Sequence, residues 1–208
     1  MTARGYYSNN TFCYKAIVKE VKNRSTVILD VDLGFNIKVP NQKYKVLKIN
    51  EHHYKSKPIN AKYKVLRIIK PGDQVIIKSE YVNHRHYCEI ITELTDPHLY
   101  FYKAVMGKIV DGDTVDAILD LGFSIEFKER FRLKGINAWE TRGDERAKGL
   151  MAKARVIELA PTGSDIIVKT FKDAKGKYGR YLGSINIPGQ NKNINDILVE
   201  EGHAVLYM

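Results

Sequence analysis

The chain has 208 residues, 28% of them charged and 44% hydrophobic, and its 34 Lys and Arg against 24 Asp and Glu give a formal net charge of +10. That balance belongs to a globular chain and excludes a disordered low-complexity polymer, and no apolar run approaches the ~18 residues of a membrane-spanning helix. The cationic excess suits a phosphate-bearing partner and equally suits a solvated lysine-rich surface; composition alone does not choose between them.

Residues 1–11 are polar and read as a loose arm. They lack the apolar stretch of a secretion signal, so an intracellular (cytoplasmic) protein is expected. Cys13 and Cys88 are then expected to be reduced and buried, not bridged. From Tyr14 the chain alternates and is rich in β-branched residues, with Ala16-Ile17-Val18, Thr26 to Asp32 and Asn36 to Val39 reading as a strand meander turned at Leu33-Gly34-Phe35. Tyr44 to Ile49 makes a further strand, residues 60–70 a short helix ended by Pro71-Gly72, and Gln74 to Ser79 and His86 to Glu93 two more strands. Asp96-Pro97 is the linker, because the pattern restarts at Tyr102.

The restart is literal. Tyr14-Lys15-Ala16-Ile17-Val18 returns as Tyr102-Lys103-Ala104-Val105-Met106, and Asp32-Leu33-Gly34-Phe35 returns as Asp120-Leu121-Gly122-Phe123, both at a spacing of 88 residues. Copy two adds a longer helix, Asp144 to Ala160, with Leu150, Ala154 and Ile157 as its expected inner face and Pro161-Thr162-Gly163 as its stop. Strands at 165–171 and 180–187 and a short helix at 194–202 complete it. Two domains are expected, residues 1–96 and 97–208. The fold class is α+β, mostly β: two tandem five-stranded barrels of the OB type with short helices. The charge is uneven, with 17 Lys and Arg against 9 Asp and Glu in residues 1–96 and 17 against 15 in residues 97–208.

The copies differ where chemistry would sit. Asp111-Gly112-Asp113-Thr114 stands opposite Asn23-Arg24-Ser25-Thr26, Arg132 opposite Lys45, and Glu140 opposite His53. Copy one therefore reads as scaffold and copy two as the working unit. A phosphodiester hydrolase needs a base for water, cationic donors for the charge that builds on phosphate oxygens, and usually a divalent ion. Copy two offers candidates for each, although Asp-Gly-Asp alone is more often a tight turn and an Arg near a Glu is usually a surface ion pair. Asp113, Asp116 and Asp120 do not make an EF-hand, lacking its loop glycine and terminal glutamate.

Three segments in order, Asp111-Gly112-Asp113-Thr114, Arg132-Leu133-Lys134-Gly135-Ile136-Asn137-Ala138-Trp139-Glu140 and Tyr178-Gly179-Arg180, make copy two similar to the staphylococcal nuclease (thermonuclease) family. The resemblance covers about residues 102–208 and implies Glu140 as general base, Arg132 and Arg180 as the phosphate clamp, and one calcium ion. It implies Asp113, Asn137 and the Ala138 backbone as ligands of that ion, with Asp111 behind them. Tyr178 and Lys177 match nucleotide-facing positions, whereas Lys172 and Lys175 read as solvated loop lysines. The sequence departs from the family at Asn137, where an aspartate is usual, and at Trp139, where a proline is usual. The neutral amide predicts weaker calcium binding. Trp139 either packs on the barrel or stacks on a base, and it is counted among the substrate-binding candidates. His84, His86 and Cys88, with His52 and His53, lack a paired zinc-ligand spacing and read as packing or solvent-facing residues.

The expected function is a metal-dependent, sugar-nonspecific nuclease acting on DNA, with RNA as a further substrate, that leaves 3′-phosphate ends and uses copy one as a basic nucleic-acid clamp. The alternative is a non-catalytic module that binds nucleic acid or protein on the same scaffold, with some of the 13 tyrosines as stacking surfaces. No membrane partner is expected, and the oligomeric state is open. A nuclease kept inside a cell suits a bacteriophage or mobile-element origin.

Overall fold

A computed structural model of the chain describes residues 11–22, 25–50, 69–83, 85–91, 99–172 and 181–207. The first part of the sequence forms β1 (Thr11–Lys22), β2 (Thr26–Gly34), β3 (Ile37–Asn50), β4 (Gln74–Val82) and β5 (Arg85–Ile91), closed into a barrel in the order β1-β2-β3-β5-β4. The second part forms β6 (Phe101–Asp111), β7 (Thr114–Asp120), β8 (Glu126–Leu133), β9 (Ile136–Ala138), α1 (Arg146–Leu159), β10 (Asp165–Lys172), β11 (Tyr181–Asn186), α2 (Ile194–Glu200) and β12 (Ala204–Leu206). Its barrel has the same order, β6-β7-β8-β11-β10, and in each barrel the β3–β5 or β8–β11 contact is the parallel one. The described residues divide into two compact units, one within Tyr7–Tyr100 and one within Phe101–Met208.

The repeated residues build this scaffold. Val27, Leu29, Val31 and Leu33 point into the first barrel and Val115, Ala117, Leu119 and Leu121 into the second, while Tyr44 and Phe131 fill the two centres. The recurring Asp-Leu-Gly-Phe is a turn motif. Asp32 accepts the Gly34 N–H at 2.9 Å and Asp120 the Gly122 N–H at 2.8 Å. Three consecutive residues after each Leu then take positive φ, Gly34 to Asn36 and Gly122 to Ser124. A glycine at the head of such a turn avoids the Cβ clash of the left-handed region. The first strand of each copy also breaks register at the same place, between Val18 and Glu20 and between Met106 and Ile109, bending it around the barrel.

The helix expected over residues 60–70 lies almost wholly outside the described residues. The inner face of α1 is not Leu150, Ala154 and Ile157: Leu150 and Ile157 are 42% and 45% exposed, whereas Gly149, Ala152 and Val156 are buried. Contact there is made backbone-close by small residues, so side-chain size misidentified the face. The strand expected over 86–93 is β5, described from Arg85 to Ile91, and residues 92 and 93 lie outside the described residues. The small antiparallel sheet of β9 and β12, with Asn137 opposite Val205, was not anticipated. Cys13 and Cys88 are free and buried.

Candidate functional site

The site grows out of the turn between β6 and β7. Gly112 is required there, since a Cβ would come within 2.7 Å of the Ala152 side chain on α1 and 2.8 Å of the Ala138 side chain on β9. Helix, turn and short strand thus meet at one point, and that contact holds Asp113 against Ala138. The Asp113 carbonyl accepts the Leu133 N–H at 2.8 Å, locking the turn to the end of β8.

Asp113 is buried, and a buried carboxylate must be partnered. Its Oδ1 accepts the Thr114 hydroxyl at 3.0 Å; its Oδ2 accepts the Ala138 N–H at 3.1 Å and lies 3.3 Å from Arg132 Nη2. The same Nη2 donates to Asn137 Oδ1 at 2.5 Å. Arg132 therefore bridges two of the oxygens named as metal ligands. Two residues back, Asp111 ends β6 and hydrogen-bonds with Thr114 and Asp113, while its Oδ1 is buried with no hydrogen-bond partner among the described residues. Burial, and after it the Asp113 charge, raise the Asp111 pKa above the ordinary carboxylate value. Asp111 and Asp113 are thus two neighbouring carboxylates, and carboxylate oxygens are the hard donors that a calcium ion takes.

Glu140 is exposed and lies two residues past β9. Its backbone is braced by α1, where Gly149 lies so close that a Cβ would collide with the Glu140 carbonyl. Trp139 is half-buried with Lys148 Nζ 4.6 Å from its ring centroid, so it combines packing with a cationic neighbour. Arg180, Tyr178 and Lys177 lie outside the described residues.

One neighbour was not found by sequence reasoning. Tyr207 follows β12, its N–H bonds to the Gly135 carbonyl at 2.9 Å, and its ring centroid is 5.9 Å from the Arg132 guanidinium carbon. Only the β9–β12 pairing brings it there, and no local spacing signals such a contact. The other acidic residues of β7 serve the scaffold. Asp116 holds Arg130 through contacts of 2.6 and 3.1 Å, which lower its pKa, and Asp120 caps its turn. In the first barrel, His86 packs on the Tyr44 ring at 5.3 Å and Cys88 lies in the core; His52, His53 and His84 lie outside the described residues. Among the described residues no three His, Cys, Asp or Glu side chains gather as a metal cluster.

The model of a family described as staphylococcal nuclease homologue matches residues 130–208. The match runs from within β8 to the end of the chain, taking in Arg132, Asn137, Glu140 and Arg180 and starting after the Asp111–Thr114 turn. No curated protein matches the chain. A solved multidomain protein with nucleic acid binding domains from Streptococcus pneumoniae is 12% identical, with a TM-score of 0.23 over 82% of this chain. The chain spans 44% of that protein's length.

Proposed function

We propose that the chain is a metal-dependent nuclease hydrolysing phosphodiester bonds of DNA, and of RNA as a further substrate. The second barrel is its catalytic unit and the first barrel is a basic clamp. The observation that carries this reading is the meeting of Asp113, Arg132 and Asn137 within hydrogen-bonding distance, beside a short strand that leads to Glu140.

The division of labour follows from the donors and acceptors. Arg132 uses Nη2 on Asn137 and Asp113, and its remaining N–H groups are available for a phosphate oxygen. Arg180 is the second arm of the clamp. Glu140, exposed on a braced loop, takes the proton of the attacking water. Water adds to phosphorus, the bond to the 5′ oxygen breaks, that oxygen takes a proton from solvent and leaves as a 5′-hydroxyl, and a 3′-phosphate end remains. Asp113, Asn137 and the Ala138 carbonyl would hold calcium with Asp111 behind them, and the bound ion would supply Lewis-acid polarisation of the phosphate.

The second reading, a binding module without catalysis, is favoured by the neutral Asn137 and by the commitment of its oxygen to Arg132. One experiment separates the two: end-labelled single- and double-stranded DNA incubated with calcium or with chelator, using wild type and Glu140→Gln. Calcium-dependent shortening that falls by about 10²–10⁴-fold in the variant supports the nuclease. Equal cleavage by both proteins refutes Glu140 as the base, and salt-sensitive retention of uncut DNA supports the binding module.

A further inference from the structure

The outer face of the second barrel carries a basic and aromatic surface that the proposed chemistry does not use. Strand pairing places Arg132, Leu182 and Phe171 in one row across β8, β11 and β10. The next row along is Ser184, Lys169 and Phe101. Lys134, just past β8, has its Nζ 3.7 Å from the Phe171 ring centroid. Lys169 Nζ lies 4.8 Å from the Phe101 centroid and 5.4 Å from that of Phe171. Both rings are half-buried and Lys134 is exposed.

The first barrel shows what the scaffold itself requires at these positions. By the same strand pairings Glu80 stands where Phe171 does, Tyr87 for Leu182 and Lys45 for Arg132. Glu89 stands for Ser184, and Cys13 for Phe101. There Cys13 is buried with Ile76 and Leu99. The scaffold closes with a carboxylate where Phe171 stands, so a phenylalanine at 171 is not a folding requirement, whereas the position of Phe101 is a packing position in both barrels. Where the first barrel has glutamates, the second has none.

We propose that Phe171 and Phe101, with Lys134 and Lys169, form a stacking platform for single-stranded nucleic acid. The strand would run on from the phosphate held at Arg132. Two arguments commit the face to this occupant. Its charge complements a phosphate backbone, and it is continuous with the proposed catalytic site: Phe171 lies two strands from Arg132, roughly 10 Å, about the reach of a base one or two nucleotides away. Each lysine covers a ring in the free protein. An exposed ammonium–ring contact is weaker than base stacking, so a base can take the ring while the ammonium moves onto the adjacent phosphate. The sugar and base identity are not read by such a surface, which suits an enzyme indifferent to sequence.

The proposal rests on the nuclease reading only for where the strand starts, and its test does not need cleavage. The full chain carrying Glu140→Gln is titrated in chelator with a fluorescent single-stranded thymidine oligonucleotide, an abasic strand of equal length, and a duplex. Phe171→Ala is expected to weaken binding of the thymidine strand by about 5- to 100-fold and to leave the abasic strand and the duplex unchanged. Lys134→Gln and Lys169→Gln are each expected to lower the salt slope by about 0.7. Phe171→Leu, which keeps apolar packing and removes stacking, is expected to behave as Phe171→Ala and serves if the alanine variant unfolds. Unchanged affinity in the leucine variant, or an equal loss on the abasic strand, overturns the platform. Cleavage by wild type without dependence on Phe171 leaves the nuclease and removes the platform; stacking without any cleavage does the reverse.

Discussion

At the scale of single residues, the site is a contest between like charges and one cation. Arg132 neutralises Asp113 and draws Asn137 to itself, while Asp111 keeps a buried oxygen that none of the described residues satisfies. Because the folded pKa of Asp111 is raised, its contribution to stability is fully present below the unfolded value of about 4. That contribution is lost as pH rises through the folded value, so at neutral pH the charged form is a burden. Asp111→Asn is therefore expected to raise the melting temperature at pH 7 in chelator and to shrink the stabilisation given by calcium. A variant that melts lower in chelator would show the carboxylate to be satisfied after all. Asn137→Asp adds a charged ligand and is expected to lower the calcium concentration for half-maximal cleavage; an unchanged requirement would remove position 137 from the ion's surroundings. The residue types at 111, 113, 132 and 140 were legible because one copy has them and the other lacks them. Tyr207 was not, since its contact with Arg132 depends on a strand pairing more than 60 residues apart in sequence.

At the scale of elements, α1 positions the site through its smallest residues. Glycine inside an exposed helix ordinarily costs about 0.5–1 kcal/mol relative to alanine. At Gly149 the sign is expected to reverse, because the added methyl would meet the backbone of Trp139 and Glu140. Gly149→Ala is expected to destabilise by about 1–3 kcal/mol and to reduce cleavage by displacing Glu140, whereas Ile157→Gln stays within about 0.5 kcal/mol. Chemical denaturation of both variants decides it, and a stabilised Gly149→Ala would mean that α1 does not brace the loop. The ends of α1 were close to their expected positions, since Pro161 and Gly163 mark the stop in the sequence. Its face was misread because an apolar-moment argument weighs Leu and Ile above Gly and Ala, and here a close helix–backbone contact reverses that weighting.

At the scale of the whole molecule, one scaffold is used twice with different surfaces. The second unit has its own closed barrel and buried core, so residues 97–208 alone are expected to unfold cooperatively and to cleave DNA. If the first barrel is a clamp, its removal is expected to raise KM and flatten the salt dependence with little change in kcat. An isolated second unit that binds and cleaves like the full chain would leave the first barrel without a part in substrate binding.

The duplication, the strand pattern of both barrels and the oxygen-rich turn were determined by sequence alone. Each depends on residues within one strand or turn: alternation sets the buried face, Asp-Leu-Gly-Phe sets the turn, and Asp-Gly-Asp-Thr places two carboxylates side by side. Tertiary structure decided that Arg132 bridges Asp113 and Asn137, that α1 faces inward with glycine and alanine, and that Phe171 shares a row with Arg132. Those depend on barrel closure, which brings β8, β11 and β10 together across about 50 residues, and a local sequence pattern carries no record of which strands a closed sheet will make neighbours.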